Sequence, residues 1–110
     1  MRPETRIFLA NAFAPSMIED ASASLDFRVI DLEAARRLAT DAISYVGHAD
    51  TADRFAEVLG RPVAAHRAPL TLRAGDVLLI GQHDQSRLVE GATTLPPEAR
   101  FRWIRITRVS

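Results

Sequence analysis

The sequence predicts a mixed α/β domain, α+β-like in the order of its elements, with five or six strands and two or three helices on one mostly mixed sheet. Three observations predict it. Strand-length runs, apolar throughout or alternating, recur at Arg6–Ala10, Leu25–Ile30, Val77–Gln82 and Arg102–Val109. Between them, Leu32–Thr40 and Asp50–Leu59 carry apolar residues at helical spacing. The 110 residues leave room for a single domain, 1–110, with a single core.

Arg6-Ile7-Phe8-Leu9-Ala10 is apolar almost throughout, the signature of a strand buried on both faces. It runs into Asn11-Ala12-Phe13-Ala14-Pro15-Ser16, a loop with an Asn and an aromatic at its start. Leu25–Ile30 alternates apolar and polar, as a half-buried strand does. Asp31 is placed to cap a helix over Leu32–Thr40, whose Leu32, Ala35, Leu38 and Ala39 share a face. Ile43–Val46 is a short extended piece ending at Gly47-His48. A second helix spans about Asp50–Leu59, with Phe55, Val58 and Leu59 as its apolar stripe and Gly60 as its stop. Pro69–Leu72 and Val77–Gln82, separated by Arg73-Ala74-Gly75-Asp76, predict a hairpin with a four-residue turn. His83–Gly91 is a polar loop, Leu95–Ala99 a turn or short helix opened by proline, and Arg102–Val109 the closing strand.

Composition excludes several classes. With 47% hydrophobic and 25% charged residues the chain is globular rather than disordered. Its longest apolar runs are far below a membrane span, and Ile7–Ala10 is too short for a signal peptide, so cytoplasmic residence is expected. Without cysteine there is no disulfide, thiolate zinc site or cysteine nucleophile. A net charge of zero argues against a duplex-binding protein, whose affinity comes mostly from a basic face. All fourteen cations are Arg, so every cationic contact is a planar guanidinium suited to forked phosphate contacts. The Arg-only, Ala-rich usage is that of a GC-rich bacterial or phage gene.

Few residues stand out chemically. His48 follows Gly47 where an extended piece meets a helix, a junction whose outward N–H groups attract anions. It reads either as a proton donor to a leaving oxygen or as a helix-capping, core-edge histidine. Thr51 is a helix-start hydroxyl or a phosphate contact. Arg87 and Glu90, three apart in the polar loop, read as a surface ion pair or as a phosphate clamp with its orienting carboxylate. Arg67 has the same two readings, and Asn11 is either a donor to a base or phosphate or ordinary turn chemistry. His48, His66 and His83 are too far apart for a close ligand set, so no metal and no cofactor is expected. No phosphate loop, nucleophile elbow or dinucleotide fingerprint is present.

Taken in order, Phe8-Leu9-Ala10-Asn11-Ala12-Phe13, Val46-Gly47-His48-Ala49-Asp50-Thr51-Ala52, Leu59-Gly60, His66-Arg67, Ala74–Leu78 and Arg87-Leu88-Val89-Glu90-Gly91 form a series. It is similar to the archaeal-virus and phage family of type III anti-CRISPR ring nucleases, over about Ile7–Val109. The resemblance implies a small homodimer, built on a mixed, roughly five-stranded sheet flanked by helices, whose symmetric cleft binds and cleaves cyclic tetra-adenylate without a metal. A ribose 2′-hydroxyl attacks the adjacent phosphorus and the 5′-oxygen leaves, giving linear di-adenylate with a 2′,3′-cyclic phosphate. By that resemblance His48 is the general acid, Arg87 stabilises the phosphoryl charge and Glu90 positions Arg87 or the ribose. Asn11, Phe13, Ser16, Gly47, Thr51, Arg67 and Gln82 fall on the substrate side. Departures are Ala14 and Ser16 in the loop after Phe13, a longer loop at His83–Ser86, and His66 where the family often has Asn. Two other readings are a sponge that binds the cyclic messenger without cutting it, and a viral or prophage protein that contacts a host protein.

Overall fold

The computed structural model describes residues 5–83 and 101–110. It contains strands β1 (Ile7–Ala10), β2 (Leu25–Ile30), β3 (Ile43–Ser44), β4 (Val77–His83) and β5 (Phe101–Arg108), and helices α1 (Leu32–Ala39) and α2 (Ala49–Leu59). The strands form one sheet in the order β2-β5-β4-β1-β3. β1 lies between two parallel neighbours, with Phe8 opposite Ile43 of β3 and Ile7 to Ala10 opposite Val77 to Ile80 of β4. β5 runs antiparallel to both β4 and β2. The sheet is mixed, as the sequence predicts.

The pleat sends successive residues to opposite faces and so divides the core in two. Leu9 and Leu79 point to the face covered by α1 and α2, where they meet Ala35, Ala39, Ala52, Phe55, Val58 and Leu59. Phe8, Ala10, Leu78 and Ile80 point to the other face, which no helix of α1 and α2 covers. There Leu70 and Leu72 close the core together with Met17 and Ile18, the latter two at a single 3-10 turn over Pro15–Met17. The Leu72 N–H donates to the Met17 carbonyl at 2.8 Å, joining the two covering segments.

Local chemistry fixes the helix ends. The Asp31 carboxylate accepts from the Ala34 N–H at 2.8 Å and caps α1 as its sequence position predicts. Gly60 ends α2 in the left-handed conformation, at φ 71°, which only glycine adopts freely. The Arg36 guanidinium of α1 donates twice to the Val58 carbonyl, at 2.9 and 3.2 Å. A cation there satisfies a carbonyl at the negative end of α2 and ties the two helices together.

The predicted hairpin does not form. Its turn exists: the Asp76 N–H donates to the Arg73 carbonyl at 2.9 Å, and Gly75 takes φ 91°. Its first arm, Pro69–Leu72, is not a strand, because β1 and β5 occupy both edges of β4. The buried Asp76 carboxylate instead ties the turn to β1, accepting from the Arg73 N–H at 2.7 Å and from Arg6 Nε at 3.0 Å. The bond to Asp76 raises the pKa of Arg6 further above its usual value. The extended piece Ile43–Val46 shortens to β3, and Val46 then makes an isolated parallel bridge to Ala65. His83 is the last residue of β4 rather than the first of a loop. The remaining loop and the turn at Leu95–Ala99 lie outside the described residues.

Candidate functional site at the carboxyl ends of the parallel strands

β1, β3 and β4 run parallel, so their carboxyl ends open at one edge of the sheet. Ligands of open α/β sheets bind beyond such ends, where chain segments diverge to either face. Four predicted residues follow directly from this geometry. Asn11 is the exposed residue immediately after β1. Gly47-His48 follows β3, and Gln82, also exposed, is the penultimate residue of β4, beyond the Ala10–Ile80 pair.

His48 is the N-cap residue of α2, with extended backbone angles of φ −127° and ψ 136°. Its carbonyl accepts from the Ala52 N–H at 2.9 Å, but its side chain makes no capping bond. The imidazole is therefore exposed and uncommitted to the helix, beside the first-turn N–H groups of α2. Helix capping by the ring is excluded by this geometry, while capping by the backbone is present. Thr51 lies within the first turn and is half-buried; Asp50, beside it, offsets part of the positive potential there.

Arg67 is brought to the same place by a strand-like association that sequence gives no hint of. Residues 64–67 run alongside 44–47: the Ser44 hydroxyl donates to the Ala64 carbonyl at 2.6 Å, Val46 bridges Ala65, and the His66 N–H donates to the Val46 carbonyl at 2.8 Å. That register sets Arg67 against Gly47, where a Cβ would stand 3.8 Å from Arg67 Cγ. This is ordinary contact, so space alone does not demand glycine at 47. The exposed guanidinium stem thus flanks the His48 junction although 19 positions separate the two residues in the chain.

Other predicted residues are placed elsewhere. Phe13 packs edge-on against Phe27 of β2, with ring centroids 6.1 Å apart, and joins the core on the side without helices. Ser16 is exposed within the 3-10 turn that covers that side. Arg87 and Glu90 lie outside the described residues. Sequence reading missed Tyr45, whose ring stacks on His66 with centroids 4.8 Å apart and 31° between planes. Nothing local marks this pair, because it depends on the 44–47 and 64–67 association.

Fold and site together define a small mixed-sheet α+β domain with an exposed histidine and an arginine at a helix start beyond its parallel strands. The chain belongs to the STIV B116-like family, whose model matches residues 7–100. Among solved structures it is similar to B116 of Sulfolobus turreted icosahedral virus, a viral protein. The two share 22% identity with a TM-score of 0.72, over 93% of this chain and 98% of that one. At that identity the likeness speaks for the fold. No curated protein matches the chain. No helix among the described residues is long and apolar enough to cross a membrane.

Proposed function

We propose that this chain is a metal-independent ring nuclease that binds cyclic tetra-adenylate and cleaves it to linear di-adenylate with a 2′,3′-cyclic phosphate, shutting off type III CRISPR signalling in the host cytoplasm. The observation that carries the reading is the exposed imidazole of His48, uncommitted to capping at the start of α2, with Arg67 folded against Gly47 beside it. A phosphodiester seated there meets first-turn N–H groups, a guanidinium and a proton donor together. The substrate brings its own nucleophile: the ribose 2′-oxygen bonds to phosphorus and loses its proton to solvent. The bond from phosphorus to the 5′-oxygen breaks, and that oxygen takes a proton from His48. The protein then has only to hold attacking and leaving oxygens in line and supply charge, which accounts for the lack of a nucleophile–base pair. Arg87 is assigned to stabilising the phosphoryl charge, and Glu90 to positioning Arg87 or the ribose. A second copy of the chain completes a two-fold cleft for a ring of repeating units, each subunit supplying one His48.

The test is cleavage of labelled cyclic tetra-adenylate in EDTA by the wild type and by His48→Ala. The expected result is di-adenylate ending in a cyclic phosphate, with a loss of at least about a hundredfold in the variant while binding persists. Binding without cutting by either protein would establish a sponge. Absence of binding would leave the contact with a host protein as the surviving reading.

A further inference from the structure

We propose that the exposed ring of His66 is a stacking platform for one nucleobase of the bound oligoadenylate, an inference that rests on the reading of the site given above. The ring is held from three directions. One face lies on Tyr45, with centroids 4.8 Å apart. Tyr45 in turn packs edge-on against the buried Phe8 at 5.6 Å, so the stack is anchored in the core. The ring nitrogen Nδ1 is 3.2 Å from the Ser44 carbonyl, which fixes the rotation of the imidazole and assigns the proton to Nδ1. The backbone of His66 is itself tied to Val46 at 2.8 Å.

A surface histidine normally rotates freely, whereas this one is held by Tyr45 and the Ser44 carbonyl. His66 nevertheless remains exposed, with its second face unoccupied by any described contact. The next residue, Arg67, lies against Gly47 beside the His48 junction. A planar ring fixed in advance, next to a guanidinium and a helix start, suits a nucleotide whose phosphate meets Arg67 and His48 while its base lies on His66. Bases of single strands are taken up on aromatic and imidazole faces in this way, largely without sequence preference. Pre-ordering the ring removes the cost of immobilising it on binding.

The experiment compares His66→Ala and His66→Phe, each in the His48→Ala background to prevent turnover, for affinity towards cyclic tetra-adenylate. A version of the ligand with one 2-aminopurine reports stacking by fluorescence quenching. Loss of the ring should weaken binding about tenfold or more and relieve part of the quenching, whereas Phe should keep affinity within about threefold. In the presence of His48, His66→Ala should raise KM and leave the single-turnover rate at saturation near that of the wild type. Equal binding by all three proteins, with His48-dependent cleavage intact, overturns the His66 assignment and leaves the ring-nuclease reading standing. Absence of binding by the wild-type chain overturns both.

Discussion

Gly81→Ala offers the sharpest test of how the site is supported. Gly81 is a buried residue of β4 next to Gln82. A Cβ built there would stand 2.6 Å from Trp103 Cζ3 and 2.7 and 2.8 Å from Phe55 Cζ and Cε1. Carbon atoms in contact sit at roughly 3.5–4.0 Å, so one or both rings must retreat by about 1 Å. Neither ring has room. Phe55 is fully buried, Trp103 is 2% exposed, and their centroids are 5.1 Å apart, with Phe101 5.0 Å behind Phe55. The expected cost lies in the upper part of the range for overpacking, about 2–3 kcal/mol. For a domain of this size that is a fall in Tm of about 8–15 °C. Because Phe55 belongs to α2, its retreat also shifts the helix whose start carries His48. Thermal and urea unfolding followed by circular dichroism check the prediction, with an unchanged m-value marking a folded-state effect. Adding Phe55→Leu should restore part of the loss, the sign of coupling between residues in contact. A Gly81→Ala protein melting within about 2 °C of the wild type would refute the argument that close approach of α2 to β4 requires glycine here.

Two further predictions concern the supports of β1 and α1. Asp76→Ala removes the acceptor for the Arg73 N–H and for Arg6. The partly exposed Arg6 regains water, so the loss comes chiefly from the turn, about 1–2 kcal/mol. Urea denaturation in low and high salt checks this, and a loss that vanished in high salt would assign the stability to the ion pair instead. Asp31→Ala should cost about 1 kcal/mol by freeing the Ala34 N–H, and Asp31→Asn should recover most of it. Equal midpoints for all three proteins at position 31 would remove the capping bond from the account of α1.

Much of the fold was legible locally because local physics decides it. Apolar continuity marked β1, alternation marked β2 and β5, and the Asp31 cap and Gly60 stop bounded the helices to within a residue or so. The failures share one cause. Pro69–Leu72 looks like a strand because its pattern and the Gly75 turn are strand-compatible, but both edges of β4 are filled by other strands in three dimensions. β1, some 70 positions away in sequence, takes one edge of β4 through the Ile7–Val77 register. For the candidate site, His48 was visible at its Gly47 junction, since a glycine and a helix start are local signals. The closeness of Arg67 to Gly47 and the stack of Tyr45 on His66 were not visible, because both arise from a pairing of residues 44–47 with 64–67.

The sequence by itself determined the class of domain, the helix limits and the residue types available for phosphate chemistry, since propensity, capping and periodicity act over a few neighbouring residues. Tertiary structure alone decided which strands adjoin, where Phe13 packs and which side chains surround His48. Those outcomes depend on contacts between distant segments, and no local pattern specifies the partner.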